Sequence, residues 1–467
     1  MQFPTLSFGL FFLLVYAVTW ALNGSNEWRK IALLMASWFF YGAWDARFVL
    51  LLFLSASGNW LLARAIAAAT SPRRRRGFVV LGVVLNLGVL ATFKYAGFFL
   101  EQLDALLFTL GFGRDVPLLQ IFLPVGVSFF TFQAVSYLVD VQHRRIPPAS
   151  WLDLTLLMSF FPHLVAGPIV RGSDLLPQFR TAPRLERGAV AAALLLILWG
   201  ALKKVVIASE LATALVDPAF RDPVHRSSLD LLFGAYGYAV QIYCDFSAYS
   251  DMAIGLALLL GYRFPRNFDQ PYRAASLQDF WRRWHISLSS WLRDYLYIPL
   301  GGSRKGRVRT YLNLFLTMVL GGLWHGANWT FVLWGALHGS WLALERGLAR
   351  LSRGRVTLPR WIGLLVTFHI VVLGWIFFRA PGLTDALTYL RGLGTGDWRN
   401  TLVTPLSFAL VVIGLGMHAL PSRGIQRLAE RLRHWPAPFV GALIALGLLL
   451  VAAMQPEGVA PFIYYQF

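Results

Sequence analysis

The segment LGGLWHGANWTFVLWG, residues 320–335, sets a histidine among glycines in the middle of an apolar stretch. A titratable side chain is expensive in any apolar surrounding, so an imidazole kept there implies either a function or a partner that satisfies it. His325 has the side chain suited to proton transfer near neutral pH. Gly321, Gly322 and Gly326 let backbone or substrate approach closely, and Asn328 offers a polar partner one turn away. His338, in ALHGSW, lies several turns further on, where packing and function are equally open. A second group is YCDFSAYSDM, residues 243–252, in which Asp245 and Asp251 stand in an apolar run. Two carboxylates there need partners, and the hydroxyls of Ser247, Tyr249 and Ser250 and the arginines of nearby loops are candidates. The reading is a structural network between helices, set against a catalytic role.

A third group is FWRRWHISLSSWLRDYLYIPLGG, residues 280–302. On one continuous helix, Leu277, Phe280, Trp284, Leu288, Trp291, Leu292 and Tyr295 form a stripe, with Arg282, Arg283, Ser289, Ser290 and Arg293 largely off it. This predicts an interfacial amphipathic helix that anchors in lipid. It also offers Arg282, Arg283 and Trp284 as a gathering place for an anionic donor, because guanidinium groups beside an aromatic surface suit phosphates and adenine. His285 serves either purpose. A fourth group, FPHLVAGPIVR, carries His163 and Arg171 on either side of a Gly-Pro turn. The histidines lack metal-ligand spacing, so no metal is expected, and P-loop, dinucleotide-binding, HExxH and GxSxG patterns are absent from the sequence.

The elements that must position these residues are membrane helices. Of 467 residues, 57% are hydrophobic and only 14% charged, with 18 Trp and 36 Phe. The mean hydropathy is +0.57. Soluble domains are about a quarter charged. The chain therefore reads as an all-α polytopic membrane protein, a single integral-membrane domain over residues 1–467, in which the interfacial helix and the histidine-bearing segment make 263–350 the candidate catalytic core. The single cysteine, Cys244, excludes an intramolecular disulfide framework. The net charge of +19 sits in short loops between apolar runs, which is a topology signal and excludes a nucleic-acid-binding domain. The Arg73–Arg76 run reads as a stop-transfer anchor, with a lipid-headgroup site as the lesser alternative.

Apolar runs fall at Leu6–Leu22, Ile31–Ala43, Phe48–Ala69, Phe78–Leu100, Leu118–Val141, Trp151–Val165, Ala189–Val216, Leu229–Tyr262, Tyr311–Leu344, Trp361–Phe378, Leu402–Leu420 and Val440–Met454. The first is expected to be a retained span, since no basic n-region or clear cleavage site accompanies it. A full crossing takes about twenty residues, so several runs are too short and must be tilted, re-entrant or buried in protein. Placing Arg29, Lys30 and Arg73–Arg76 inside puts the N-terminus outside and leaves Trp151–Val165 between two inside loops. The run Tyr311–Leu344 is likewise flanked on both sides by basic loops. It must leave the cytoplasmic face and return to it, which makes it a helical hairpin with WHGAN at its tip. Non-helical backbone at that depth has to line a cavity or be buried in protein.

Together these motifs resemble the membrane-bound O-acyltransferase (MBOAT) family, and within it the alginate O-acetyltransferase-like branch. The matching text covers almost the whole chain: SWFFYGAWDARF, LPVGVSFFTFQAVSYLVDV, FPHLVAGPIVR, DFSAYSDMAIGLALLLGYRFPRNFDQPY, FWRRWHISLSSWLRDYLYIPLGG, NLFLTMVLGGLWHGANWTFVLWGALHG, GWIFFRA and PFIYYQF. The resemblance implies a ring of transmembrane helices, with re-entrant and short helices around a thinned centre and a tunnel between the two faces. It implies that the family's catalytic histidine falls on His325, and its second polar position on His285. Asn328, Asp245 and Asp251 would support them. It also implies O-acetylation of an extracytoplasmic polysaccharide such as alginate, another exopolysaccharide or peptidoglycan. The donor would be acetyl-CoA or a similar cytosolic thioester, with no resident cofactor and no metal. A periplasmic hydrolase-like partner would carry the acetyl group onward from a bacterial inner membrane. The alternatives are D-alanyl transfer to a cell-wall polymer, a non-catalytic transporter or channel, and a scaffold. A transporter would show internal inverted repeats, and none is visible in the sequence.

Overall fold

The computed structural model describes residues 3, 5–112, 123–165, 167–352, 359–421 and 424–454. The start of the Leu118–Val141 run and the PFIYYQF motif lie outside the described residues. Within them every regular element is helical and no strand occurs. The chain divides into two compact units, Met1–Glu186 with Leu256–Pro265, and Arg187–Gly255 with Arg266–Phe467.

The first unit begins with α1 (Leu6–Ala21), α2 (Asn26–Gly42), α3 (Ala46–Ala68), α4 (Pro72–Lys94) and α5 (Ala96–Thr109). Side-chain oxygens of Thr5, Asp45 and Ser71 accept from the first turns of α1, α3 and α4, which is why these helices start where they do. Both α3 and α4 are long and apolar enough to cross a membrane. Leu50, Leu54, Leu61, Leu81 and Leu85 lie exposed on them, as lipid-facing residues would. One polar residue buried on each pairs with the other. Asn59 Nδ2 donates to Asn86 Oδ1 at 3.1 Å, and Asn86 Nδ2 returns a bond to Asn59 Oδ1 at 2.8 Å. Next come α6 (Val127–Gln142), buried on nearly every side, α7 (Trp151–Ser159), and the short α8 (Phe161–Leu164) and α9 (Gly172–Leu175). The Trp151–Val165 run is thus broken at Phe160 into pieces of 9 and 4 residues, too short to span. Arg29 and Lys30, read from the sequence as loop charges, are buried within α2. Arg29 donates to Asn26 Oδ1 (2.6 Å) and the Thr181 carbonyl (3.3 Å), and Lys30 pairs with Glu27 (2.6 Å) and Asp153 (2.8 Å). Paired in this way, the two cations tie α2 into its unit.

The second unit opens with α10 (Arg187–Leu202). Its helix runs on through a π-helical stretch at Lys203–Ala208, α11 (Ser209–Leu211), a second π-helical stretch at Ala212–Val216, and α12 (Asp217–Arg221). Counted together, Gly188–Arg221 is a 34-residue helix able to cross a membrane. Next is α13 (Ser228–Leu259), whose last residues belong to the first unit. There follow α14 (Leu277–Arg283), α15 (Ile286–Leu292), α16 (Arg307–His325), α17 (Trp329–Leu351), α18 (Arg360–Arg379), α19 (Leu383–Leu393), α20 (Pro405–Gly416), α21 (Gly424–Leu432) and α22 (Ala437–Ala453). Of these, α18 is a further candidate span.

The expected hairpin is α16 and α17. Glycines on the facing sides bring the two backbones into contact. A Cβ at Gly335 would lie 2.8 Å from the Cα of Val319, and one at Gly339 would lie 2.8 Å from the Cα of Phe315. Small residues at such a seam let helices associate without a hydrophobic drive, as membrane helices must.

The amphipathic segment departs from expectation. It is two helices with a break at Trp284–His285, where His285 takes a left-handed φ of +41°. The cause is non-local. The Ile286 N–H donates to the Asn267 carbonyl (2.9 Å), and the Ser287 N–H and hydroxyl donate to Asn267 Oδ1 (3.2 and 2.9 Å), so Asn267 supplies the cap of α15. Six of the seven stripe residues, Leu277, Phe280, Trp284, Leu288, Trp291 and Leu292, are buried in protein and Tyr295 is partly so, and the stripe is therefore not a lipid anchor. Glu345 of α17 holds the start of α14, accepting from the N–H groups of Leu277 (2.7 Å) and Gln278 (3.3 Å).

Candidate functional site

His325 is the last residue of α16 and is 3% exposed. Three aromatic rings meet it edge-on: Trp324 at 5.0 Å, Trp334 of α17 at 5.1 Å and Phe378 of α18 at 5.2 Å between centroids. The turn that follows cannot carry side chains freely. A Cβ at Gly326 would fall against the Phe331 ring, and within α16, one turn before His325, a Cβ at Gly322 would meet the Phe331 carbonyl oxygen.

His285 is fully buried and reaches the same cluster, with its ring 6.1 Å from Trp324. The two histidines therefore share one indole as a neighbour. Asn267 Nδ2 donates to Ser250 Oγ (3.0 Å), which leaves Asn267 Oδ1 as an acceptor for His285 Nδ1–H at 3.2 Å. The proton is thereby assigned to Nδ1, and Nε2 carries the lone pair. That Nε2 is buried with no hydrogen-bond partner among the described residues. Left-handed backbone at a non-glycine residue concentrates at sites where position matters more than local stability. Asn267 was invisible as a site residue in the sequence, where FPRNFDQPY carries no catalytic pattern. A polar residue in an apolar-flanked loop was its one signal.

The family model for membrane-bound O-acyltransferases matches residues 149–380, which include both histidines, Asn267 and the hairpin. The chain is 44% identical over 409 residues to the "Probable alginate O-acetylase AlgI" of Pseudomonas aeruginosa, covering 85% of this chain and 76% of that protein. It is 37% identical over 406 residues to the peptidoglycan O-acetyltransferase of Helicobacter pylori, covering 81% and 76%. The chain belongs to the membrane-bound O-acyltransferase family. A teichoic acid D-alanyltransferase of Streptococcus thermophilus is more distant, 27% identical over 280 residues, covering 54% of this acyltransferase and 68% of that protein.

The remaining residues singled out in the acyltransferase sequence separate into groups. Asn328, expected as a partner of His325, instead starts α17: its Oδ1 accepts from the Thr330 N–H (3.0 Å) and its Nδ2 donates to the Pro381 carbonyl (2.9 Å). Trp284 does not line a donor surface. It is 1% exposed, stacked on Phe280 and packed against Trp375 and Phe268. Arg283 is engaged by Asp279 (2.9 Å), whereas Arg282 is exposed and makes no ion pair among the described residues. His338 is wholly buried against Trp334, Trp281 and Phe280, and neither of its ring nitrogens has a hydrogen-bond partner among the described residues. His163 lies in the first unit, within hydrogen-bond distance of Gln133 and the Leu157 carbonyl.

Asp245 and Asp251 each pair with a lysine of the preceding long helix. Lys204 pairs with Asp245 at 2.8 Å, and Lys203 pairs with Asp251 at 2.7 Å while also donating to Ser247 Oγ at 2.7 Å. These adjacent lysines open the first π-helical stretch after α10, so the two ion pairs clamp that helix to α13. The sequence reading passed over them because they sit inside an apolar run. No group of His, Cys, Asp and Glu among the described residues is arranged to hold a metal ion.

Proposed function

We propose that this acyltransferase moves an acetyl group from a cytosolic thioester, acetyl-CoA or a close analogue, to the far side of a bacterial inner membrane for O-acetylation of an extracytoplasmic polysaccharide. The observation that carries this reading is the pair of histidines that both pack on Trp324, one ending the hairpin arm α16 and the other held by Asn267. His325 takes the proton of the acceptor hydroxyl as that oxygen bonds to the thioester carbonyl carbon. The tetrahedral intermediate then collapses, the C–S bond breaks, and the proton passes to the leaving thiolate. Positioned proton transfer of this kind contributes roughly 10²–10⁴-fold. His285, with Nδ1–H bound to Asn267, presents its Nε2 lone pair to a hydroxyl or water at the same site. A periplasmic hydrolase-like protein fits the role of intermediate acyl carrier between this chain and the polymer. The relatives named for alginate and peptidoglycan acetylation support an acceptor among extracytoplasmic polysaccharides.

The test is turnover of radiolabelled acetyl-CoA by the purified protein in lipid nanodiscs. His325→Ala is expected to abolish acetyl release and transfer while the protein still expresses and melts like the parent. Unchanged turnover in that variant would remove His325 from the chemistry. Faster transfer from a D-alanyl thioester than from acetyl-CoA would move the chain to the aminoacyl branch.

A further inference from the structure

In the first unit, a cavity of about 330 Å³ opens where α3 ends, α4 begins and α6 runs out. Ile66, Val141 and Ile146 give it an apolar wall, and Arg75 and Arg144 are the charged residues among those that line it. We propose that this cavity binds the phosphate of a phospholipid headgroup, with the start of its glycerol and acyl portion against the apolar wall.

The charge balance points to an anion. The neighbouring Arg145 is neutralised by Asp140 at 2.9 Å, but neither Arg75 nor Arg144 makes an ion pair among the described residues. Arg75 uses Nη2 on the Ala69 carbonyl (3.1 Å), and its remaining N–H groups are available to a ligand. Four consecutive arginines, 73–76, fill the first turn of α4, and that turn holds no acidic residue. Cations at the positive pole of a helix repel it, so an anion there relieves both the guanidinium groups and the helix end. Among the described residues, Arg144 is one of three non-glycine residues with a left-handed φ, at +56°.

Location selects the source of the anion. The cavity lies at the turn between two helices of 23 residues that are each long enough to cross a bilayer, so it stands at headgroup level. Phosphates are abundant there, and paired guanidinium N–H groups match phosphate geometry. A stop-transfer role for the run accounts for its charge but not for the cavity with an apolar wall beside it.

The experiment uses the full chain in neutral detergent and follows its melting temperature as ligand is added. The ligands are phosphatidylglycerol, diacylglycerol with the same chains, and inorganic phosphate. The variants are Arg75→Gln/Arg144→Gln, and, for equal charge loss away from the cavity wall, Arg73→Gln/Arg74→Gln. The expected result is a rise with phosphatidylglycerol whose half-saturating concentration is about tenfold higher in the first variant and within about twofold of the parent in the second. Inorganic phosphate acting with the same variant sensitivity would assign the site to a soluble phosphate and leave the phosphate chemistry standing. Equal loss in both variants, no loss in either, or diacylglycerol acting as well as phosphatidylglycerol would overturn the proposal. If the cavity variant does not fold, hydrogen exchange on the parent decides. Phosphatidylglycerol must then slow exchange at 69–76 and 141–148, and unchanged exchange there refutes the site.

Discussion

Adding one methyl group at Gly335 tests whether the hairpin seam positions His325, the base proposed above. In Gly335→Ala the new Cβ would stand 2.8 Å from the Cα of Val319 and 2.9 Å from the carbonyl carbon of Met318, where ordinary contact begins at 3.4 Å. The obstacles are backbone atoms, so no rotamer change relieves them, and the helices must part by roughly 0.5–1 Å at this level. Overpacking of this kind costs about 1–3 kcal/mol. The shift is transmitted directly, because the preceding residue, Trp334, packs on His325 at 5.1 Å and on His338 at 4.8 Å. A displacement near 1 Å at a reacting group costs about 10²-fold. Gly335→Ala should therefore lower turnover of acetyl-CoA about 30- to 100-fold, with a melting temperature only a few degrees below the parent. Gly347→Ala lies on the same helix, where the nearest atom to the new Cβ is the Tyr311 hydroxyl at 3.9 Å. It should keep full activity and gain slightly in stability from alanine's helix propensity. Parental turnover in Gly335→Ala, or an equal loss in Gly347→Ala, would refute the reasoning.

Three further outcomes are expected. Asn267→Ala removes the acceptor for His285 Nδ1–H and for Ser287, and should lower turnover about tenfold while His285→Ala in the same background costs little more, read as a double-mutant cycle. Lys204→Met leaves Asp245 buried without its cation and should destabilise by about 3–5 kcal/mol in a denaturation assay, whereas adding Asp245→Asn restores most of the loss. The Asp45 carboxyl caps α3 and is held below the ordinary aspartate range by hydrogen bonds from the Arg47 side chain and backbone. Because its folded value is lowered, the cap's contribution is complete above the ordinary aspartate pKa and disappears as pH falls through the lowered one. Hydrogen exchange at Ala46–Leu50 should quicken only in that acid range.

The membrane class, the hairpin and the residues worth testing were legible in the sequence, because apolar run length, basic-loop placement and an intramembrane histidine are local patterns with direct physical costs. The misreadings share one cause. Asn328 looked like a partner for His325 by spacing alone, but backbone groups at Thr330 and Pro381 claim its amide. Trp284 and the arginines looked like a surface because periodicity cannot tell lipid from the aromatic side chains of α18 as the cover for an apolar stripe.

By itself, the amino-acid sequence determined the solvent this chain lives in, the helical class, the family, and the placing of His325 at the end of an apolar arm. Only the tertiary structure decided that His285 bends the chain, that its Nδ1 proton is held by Asn267, and that the two imidazoles share Trp324. It alone decided that the aspartates answer to Lys203 and Lys204. The reason is physical: burial cost is set residue by residue along the chain, whereas a hydrogen bond or ion pair between distant segments exists only once packing has brought them to within about 3 Å.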